Sequence, residues 1–180
     1  MGLDMYLKKH TYVKNWSYMT PEEQTKVSVT KNGVAHTDIK PERVSYIIED
    51  VMYWRKANAI HNWFVNNVQE GNDDCKEYYV DCDNLQVLID KCNEALLVIK
   101  NADVVFKQVE TGWNQNGITY ESIPTYDCVD EINEILPPTI GFFFGGTEID
   151  EYYKNDLENT AKVLTELIEE GGEFYYSSSW

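Results

Sequence analysis

The sequence predicts an α+β fold in which a mostly antiparallel sheet packs with about three main helices. Two observations favour this class: segments of alternating apolar and polar residues are mixed with segments of helical periodicity, and they do not follow the strand-helix-strand rhythm of a parallel sheet. With 180 residues, of which 43% are hydrophobic, residues 1–180 are expected to form a single globular domain around one core.

The first fifty residues predict strands joined by tight turns. Apolar and polar residues alternate over Leu3–Leu7, which is typical of a half-buried strand. Thr20, followed by a proline and by Glu23, predicts a short turn of helix. Asn32 and Gly33 predict a hairpin turn, because this pair readily adopts positive φ angles. The other strands predicted in this region are Val27–Val29, Val34–His36 and Val44–Asp50.

Helical periodicity dominates the next fifty residues. Apolar residues at three- and four-residue steps predict a helix over Tyr53–Gln69 that ends at Gly71. Glu77–Val80 predicts a short strand. A capping-box pattern at Asp83 then predicts the start of a second helix, whose apolar face extends to Ile99.

The segment that follows is less regular. Residues 102–125 fit no single period, and Gly112–Gly117 predicts a loop. A short helix is expected from Asp127 to the proline at position 137, because a proline pair ends a helix. Gly141–Phe144 is uniformly apolar and predicts a buried strand.

The last forty residues carry the strongest helical pattern. After the Gly145-Gly146 turn, Thr147–Asp150 predicts a capping box and a helix with a continuous apolar face. Gly171 predicts its end, and alternation over Phe174–Ser179 predicts a final strand.

Negative charge is concentrated in the later two thirds of the chain. Residues 1–60 hold 9 basic and 7 acidic side chains (+2), and residues 61–180 hold 6 and 24 (−18), which gives the total of −16. Between Glu110 and Glu151 there are nine carboxylates and no Lys, Arg or His. Such a field repels nucleic acid and anionic membranes and attracts basic surfaces. The expected partner is a basic protein, without direct binding to nucleic acid or membrane.

The sequence carries no catalytic motif and predicts no cofactor. Phosphate often binds at a glycine-rich turn that opens a helix, but Glu148, Asp150 and Glu151 follow the Gly145-Gly146 turn and would repel it. His61 is expected to be a structural histidine, because no neighbour that would make it a general base can be named.

The cysteines and acidic pairs do not predict a metal site. Cys75, Cys82, Cys92 and Cys128 lack the spacing of zinc ligands and are expected to be reduced thiols. The calcium-binding loop spacing does not occur either. Reduced thiols, a start without the positive charge of a secretory leader, and no run near the roughly 20 apolar residues of a membrane span together predict a cytoplasmic location.

The acidic residues after position 126 are candidates for binding a basic protein. Asp127, Glu131 and Glu134 have the spacing of one helical face, on which neighbouring carboxylates lie about 5 to 6 Å apart, comparable with the roughly 3.4 Å phosphate repeat of a nucleic acid strand. The alternative that these charges only hydrate the surface stays open. Tyrosines that could meet a partner are Tyr120, Tyr126, Tyr152 and Tyr175. The candidate partner-binding residues are Asp127, Asp130, Glu131, Glu134, Glu148, Asp150 and Glu151.

Four blocks of the sequence resemble a family of phage and prophage proteins. The blocks are residues 1–7 (MGLDMYL), 53–65 (YWRKANAIHNWFV), 141–153 (GFFFGGTEIDEYY) and 173–180 (EFYYSSSW). No reaction or site residue is assigned to that family, so the resemblance implies only a phage context. Small acidic phage proteins that act in the host cytosol are similar to inhibitors of host enzymes that hold nucleic acid, including anti-CRISPR proteins; this step is an analogy.

Two functions follow as expectations. The first is a non-enzymatic, anti-CRISPR-like phage protein that occupies the basic cleft of a nucleic-acid-binding defence enzyme, for example a CRISPR effector nuclease, in the host bacterial cytosol. The second is a small cytosolic enzyme or ligand-binding protein. Its site would lie around Tyr53, Trp54, Arg55, His61 and the Gly145-Gly146 turn.

Overall fold

The structure, a computed structural model that describes residues 2–115 and 117–180, confirms the α+β class. Met1 of the first quoted block and Asn116 of the predicted loop lie outside the described residues. The helices are α1 (Asn58–Asn67), α2 (Cys82–Asn101), α3 (Val129–Ile135) and α4 (Glu151–Glu170). The strands are β1 (Asp4–Tyr12), β2 (Thr30–Lys31), β3 (Val34–Ala35), β4 (Tyr46–Arg55), β5 (Tyr78–Val80), β6 (Val104–Asn114), β7 (Gly117–Tyr126) and β8 (Glu173–Ser179).

The main sheet is antiparallel with the order β4-β1-β8-β5. The predicted N-terminal strand is confirmed, and it extends to Tyr12 because β1 pairs with β4 along its whole length and with β8 over residues 4–10. Leu3, Met5 and Leu7 are fully buried, as their alternation predicted. The final strand is likewise confirmed as β8.

Helices α2 and α4 pack against each other and close the core. Their apolar faces are those that the periodicity predicted, but each helix is capped at a different residue from the one predicted. The carboxylate of Asp81 accepts a hydrogen bond from the Asn84 amide at 2.7 Å, and that of Asp150 accepts from the Tyr153 amide at 3.0 Å. The predicted starts at Asp83 and Thr147 are therefore wrong, because other aspartates satisfy the free amides of the first turns.

The predicted helix over Tyr53–Gln69 is wrong in its first turn. Strand β4 continues to Arg55, and α1 starts only at Asn58. Pairing with β1 joins Met5 to Trp54 and keeps this segment extended, so Met52 and Trp54 enter the core from a strand. Tertiary pairing has overridden a local helical pattern here.

Strands β6 and β7 form a long two-stranded ribbon in the segment that fitted no single period, and the sequence did not predict it. Nearly all of its described side chains are exposed or half-buried. The sequence therefore lacks the alternation of apolar and polar residues that is typical of a sheet with one buried face. The predicted loop over Gly112–Gly117 lies largely within the strands that form the tip of this ribbon.

The predicted buried strand over Gly141–Phe144 is also wrong. Only Phe144 of the apolar run enters the core, whereas Ile140 and Phe142 are 88% and 77% exposed. The segment is a turn, and the φ angle of Phe143 is +65°. An apolar run shows that burial is favourable, but it does not show that a partner surface is present.

The tight turns were predicted correctly. Asn32 and Gly33 have φ angles of 53° and 78°, and Gly71 and Gly171 follow α1 and α4 with positive φ angles. The turn at Thr20 is a single bend in which the Glu23 carboxylate accepts the Thr20 amide at 2.8 Å. Among the helices of the described residues, none is long and apolar enough to cross a membrane.

We expect Leu88→Ala to lower the free energy of unfolding by about 2 to 5 kcal/mol, because Leu88 is fully buried where α2 faces the core. Leu97→Ala is the matched control, since Leu97 is on the same helix and 62% exposed, and its cost should stay within about 0.5 kcal/mol. Urea denaturation of both variants measures the difference. Equal losses would contradict this assignment of the core face.

Candidate binding surface and cleft

The first group of predicted partner-binding residues lies on and just before α3. Asp130, Glu131 and Glu134 are exposed on the helix, whose first turn favours acidic residues through the helix dipole. Asp127 is exposed but precedes the helix, which starts at Val129, so the predicted row of Asp127, Glu131 and Glu134 on one helical face is corrected to two helical residues and one residue before the helix. Within the described part of the chain, none of the four carboxylates makes an ion pair or a side-chain hydrogen bond.

The second group, Glu148, Asp150 and Glu151, is engaged within the fold. Glu148 lies 3.3 Å from the ammonium of Lys107, and Asp150 caps α4. Glu151 accepts a hydrogen bond from the Tyr126 hydroxyl at 2.6 Å and pairs with Lys154 at 3.2 Å. The Tyr126 hydrogen bond is the main cause that lowers the pKa of Glu151, and Lys154 adds to it. These three carboxylates have structural roles at the start of α4, so they offer less uncompensated charge than the α3 group.

One face of the β6-β7 ribbon carries exposed aromatic and aliphatic side chains together with polar ones. The register pairs Phe106 with Pro124, Glu110 with Tyr120 and Trp113 with Ile118, which places these side chains on one face. Phe106 and Trp113 are 74% and 76% exposed. Strand β7 ends at Tyr126, and the acidic residues begin one position later.

The sequence predicted part of this face. Of the tyrosines named as possible partner contacts, Tyr120 and Tyr152 are well exposed, whereas Tyr126 and Tyr175 are half-buried. Phe106 and Trp113 were missed, because their common face depends on a strand register that includes an irregularity between Glu110 and Gly112.

A cleft of about 390 Å³ lies between the β4-α1 turn and the start of α4. Its first wall is formed by residues 55–60, and its second wall by the Gly145-Gly146 turn and residues 148–157 of the α4 region. Lys56 has a φ angle of +60°, which costs an L-residue about 1 to 3 kcal/mol. Gly145, with a φ of +96°, packs against it, and a Cβ there would lie 3.2 Å from the Cβ of Lys56.

The charged groups of the cleft are unevenly paired. The guanidinium of Arg55 makes a long contact of 3.6 Å with Asp4, whose carboxylate also accepts the Tyr53 hydroxyl. In the described residues, the ammonium of Lys56 and the half-buried carboxyl of Asp156 have no hydrogen-bond or ion-pair partner. Burial, and next the charge of Asp150, raise the pKa of Asp156 to about 7.

His61 is not part of this cleft. Its ring is buried, with Nδ1 2.8 Å from the Tyr176 hydroxyl and Nε2 3.1 Å from Asp73 Oδ2. Burial lowers the pKa of His61, and the nearby Asp73 only partly opposes this effect. We assign a neutral imidazole whose Nε2–H donates to Asp73 and whose Nδ1 accepts from Tyr176. The expectation of a structural histidine agrees with this geometry.

Only some of the residues named for the alternative site line the cleft. Arg55 and the Gly145-Gly146 turn line the cleft, whereas Trp54 is buried and donates through Nε1 to the Thr160 hydroxyl at 2.8 Å. Tyr53 donates to the Asp4 carboxylate that also contacts Arg55, but it does not line the cleft. Asp156, which the sequence analysis missed, lines the cleft, whereas His61 does not.

The cysteines carry free thiols, and burial raises the pKa of Cys92 to about 12. Over the described ranges, no three potential metal-ligating side chains lie close enough together to hold an ion.

The four sequence blocks that carry the resemblance meet in space. The Lys56 amide donates to the carbonyl of Leu3 at 2.8 Å, and the Leu3 amide contacts the carbonyl of Phe143 at 3.4 Å. The Phe144 ring lies 6.1 Å from that of Trp180. Comparison of the chain with family models, with curated proteins and with solved structures finds no match.

We expect the contribution of His61 to the stability of the protein to fall as the pH drops below 6.5, the ordinary pKa of a histidine, while Asp156, whose folded pKa is raised to about 7, contributes in the opposite direction. The pKa of His61 is lower in the folded protein than in the unfolded chain, so the unfolded chain binds the proton more readily. The stability that His61 contributes is therefore present above the unfolded pKa, and it is lost as the pH falls toward the folded pKa. Urea denaturation from about pH 8 to about pH 5 measures this slope. Relative to the wild type, His61→Gln should lose less stability, or gain more, as the pH falls from about 7 to about 5, because the contribution of His61 is removed and that of Asp156 remains. If the free energy of unfolding varies with pH in the same way in the wild type and the variant, the pH dependence comes from groups other than His61.

Proposed function

We propose that the chain is a non-enzymatic binding protein that occupies the nucleic-acid-binding cleft of a basic host protein. One observation carries this proposal: the carboxylates around α3, which have no partner in the described residues, follow directly in the chain on the β6-β7 ribbon, one face of which exposes Phe106 and Trp113. Aromatic side chains supply contact area at protein interfaces, and charge complementarity supplies orientation and rapid association. Together they match a groove with lysine and arginine walls and an apolar floor.

The carboxylates of α3 can replace phosphates in such a groove. Asp130, Glu131 and Glu134 lie within two turns of helix, so they present several negative charges over a short distance. A partner that normally neutralises phosphates already has the opposite charges in place. The overall charge of −16 prevents binding to nucleic acid itself and accelerates the encounter with a basic protein.

The resemblance to phage proteins supports a more specific form of this proposal. The partner is then a host defence enzyme that holds nucleic acid, for example a CRISPR effector nuclease, and the chain acts as an anti-CRISPR-like inhibitor in the bacterial cytosol. Inhibition follows from occupancy of the groove, and no reaction of the chain is required.

Neutralising the α3 group should weaken binding to the partner. The variant Asp127→Asn, Asp130→Asn, Glu131→Gln and Glu134→Gln is expected to lose about tenfold or more in affinity and part of its salt dependence, because each exposed ion pair contributes about 0.2 to 1 kcal/mol. A charge-matched control changes four exposed glutamates on α2 and α4 to glutamine: Glu94, Glu158, Glu166 and Glu169.

The measurement is capture of partners from nuclease-treated bacterial lysate at low and high salt, followed by a nucleic-acid-binding assay of each captured protein with and without the chain. The proposal is supported if a basic protein is captured by the wild type and the control variant but not by the α3 variant. The wild-type chain must also displace nucleic acid from that protein. The proposal fails if capture ignores salt and both variants, or if the captured protein keeps its nucleic acid.

Trp113→Ala should also weaken binding, by about tenfold or more, because exposed aromatic residues near the centre of an interface contribute the largest single terms. Stability should change little, since Trp113 is exposed in the free protein. Tyr18→Ala, at an equally exposed aromatic outside the ribbon, is the control. Surface plasmon resonance with the captured partner reports the dissociation rates, and identical rates for the two variants would remove the ribbon from the interface.

A further inference from the structure

The cleft beside α4 has the features of a built site for a small molecule, and the proposed protein interface does not use it. Its volume of about 390 Å³ falls in the range of ligand pockets, about 300 to 1,000 Å³. Lys56 has a positive φ angle, and Gly145 packs against its side chain. Backbone strain of this kind is concentrated at binding and catalytic sites.

The two walls of the cleft differ in charge. The turn between β4 and α1 contributes the cations of Arg55 and Lys56, and the α4 side contributes Asp150 and Asp156. Lys56 and Asp156 have no partner in the described residues, and Arg55 is 60% exposed in its side chain beside its long contact with Asp4. Other charged side chains of the cleft are already committed, Glu148 to Lys107 and Asp150 to the α4 cap.

A half-buried carboxyl without a hydrogen bond or a cation nearby is costly to ionise. No protein cation stands among the causes that shift the pKa of Asp156, and the negative charge of Asp150 raises it further. An ammonium group placed between these two carboxylates would compensate both charges. On the opposite wall, Arg55 and Lys56 would pair with an anionic group.

We propose that this cleft binds a small zwitterion of the ω-amino acid type, whose ammonium group pairs with Asp156 and whose carboxylate pairs with Lys56 and Arg55. The inference is independent of the proposed protein partner, because it rests on other residues on another surface. It gives the chain a ligand-binding site beside its protein-binding surface, and it assigns no reaction to that site.

The pH dependence of binding follows from the surroundings of Asp156. Ammonium binding requires its ionised form, so affinity should rise between about pH 6 and about pH 8, as the carboxyl loses its proton around a pKa of about 7. Besides Asp156, the charged and titratable groups that line the cleft are Arg55, Lys56, Glu148, Asp150, Tyr152 and Tyr153. Of these groups, Asp150 is the charged neighbour that raises the pKa of Asp156.

The test uses the full chain and a series of straight-chain ω-amino acids from glycine to 6-aminohexanoate, with hexylamine and hexanoate as probes that carry one end only. Calorimetric titration measures affinity, and amide chemical shifts locate the bound probe. We expect one chain length to bind best, to shift the amides of residues 55–60 and 145–157, and to bind about tenfold or more tightly than either one-ended probe.

Variants separate the two ends. Asp156→Asn should lower the affinity for the zwitterion about tenfold or more and remove its pH dependence, and Lys56→Gln should lower it at every pH. The controls are Glu166→Gln and Lys162→Gln, which remove the same charges from exposed positions of α4 outside the cleft. The inference is overturned if no member of the series binds in the cleft, if hexylamine or hexanoate binds as tightly as the best zwitterion, or if the controls lose as much affinity as the cleft variants. Loss of partner binding in the α3 variant leaves these results unchanged, so the two proposals fail separately.

Discussion

The side-chain amide of Asn58 holds the loop on which both candidate surfaces depend. Residues 136–150 connect α3 to α4 without forming a helix or strand, and the buried Asn58 donates to the carbonyls of Phe144 and Gly146 at 3.3 and 2.7 Å and accepts from the Thr139 amide at 3.3 Å. Each of these backbone groups would cost about 1 to 3 kcal/mol if it were buried without a partner. One amide thus replaces the regular hydrogen bonds that a strand would have provided.

The same loop positions the two surfaces relative to the core. Its Gly145-Gly146 turn forms one wall of the cleft, and its Ile149 carbonyl accepts the Tyr126 amide at the base of the ribbon at 2.8 Å. Phe144 packs edge-on against the buried His61, which in turn joins α1 to Tyr176 of β8. The sheet, the cleft and the ribbon are therefore linked through a short series of buried polar and aromatic contacts.

The carboxylates at the start of α4 and those around α3 differ in their roles within the fold. At the start of α4, acidic side chains cap the helix, pair with lysines or accept a tyrosine hydroxyl. Around α3 the described structure gives the carboxylates no such roles, although like charges at helical spacing cost a few tenths of a kcal/mol each. The helix dipole offsets part of this cost for Asp130 and Glu131, which lie in the first turn of α3.

The sequence alone determined the elements whose residues obey one period and face one core: β1, β8, the apolar faces of α2 and α4, and the glycine turns that need positive φ angles. It also located the α3 carboxylates and two components of the cleft, Arg55 and the Gly145-Gly146 turn. Tertiary structure decided the rest, because those features depend on partners far away in the chain. Pairing with β1 made Tyr53 and Trp54 part of a strand. The register of the ribbon placed Phe106 and Trp113 on one face. Burial in the cleft, not a local motif, raised the pKa of Asp156 and so distinguished it from the many other carboxylates.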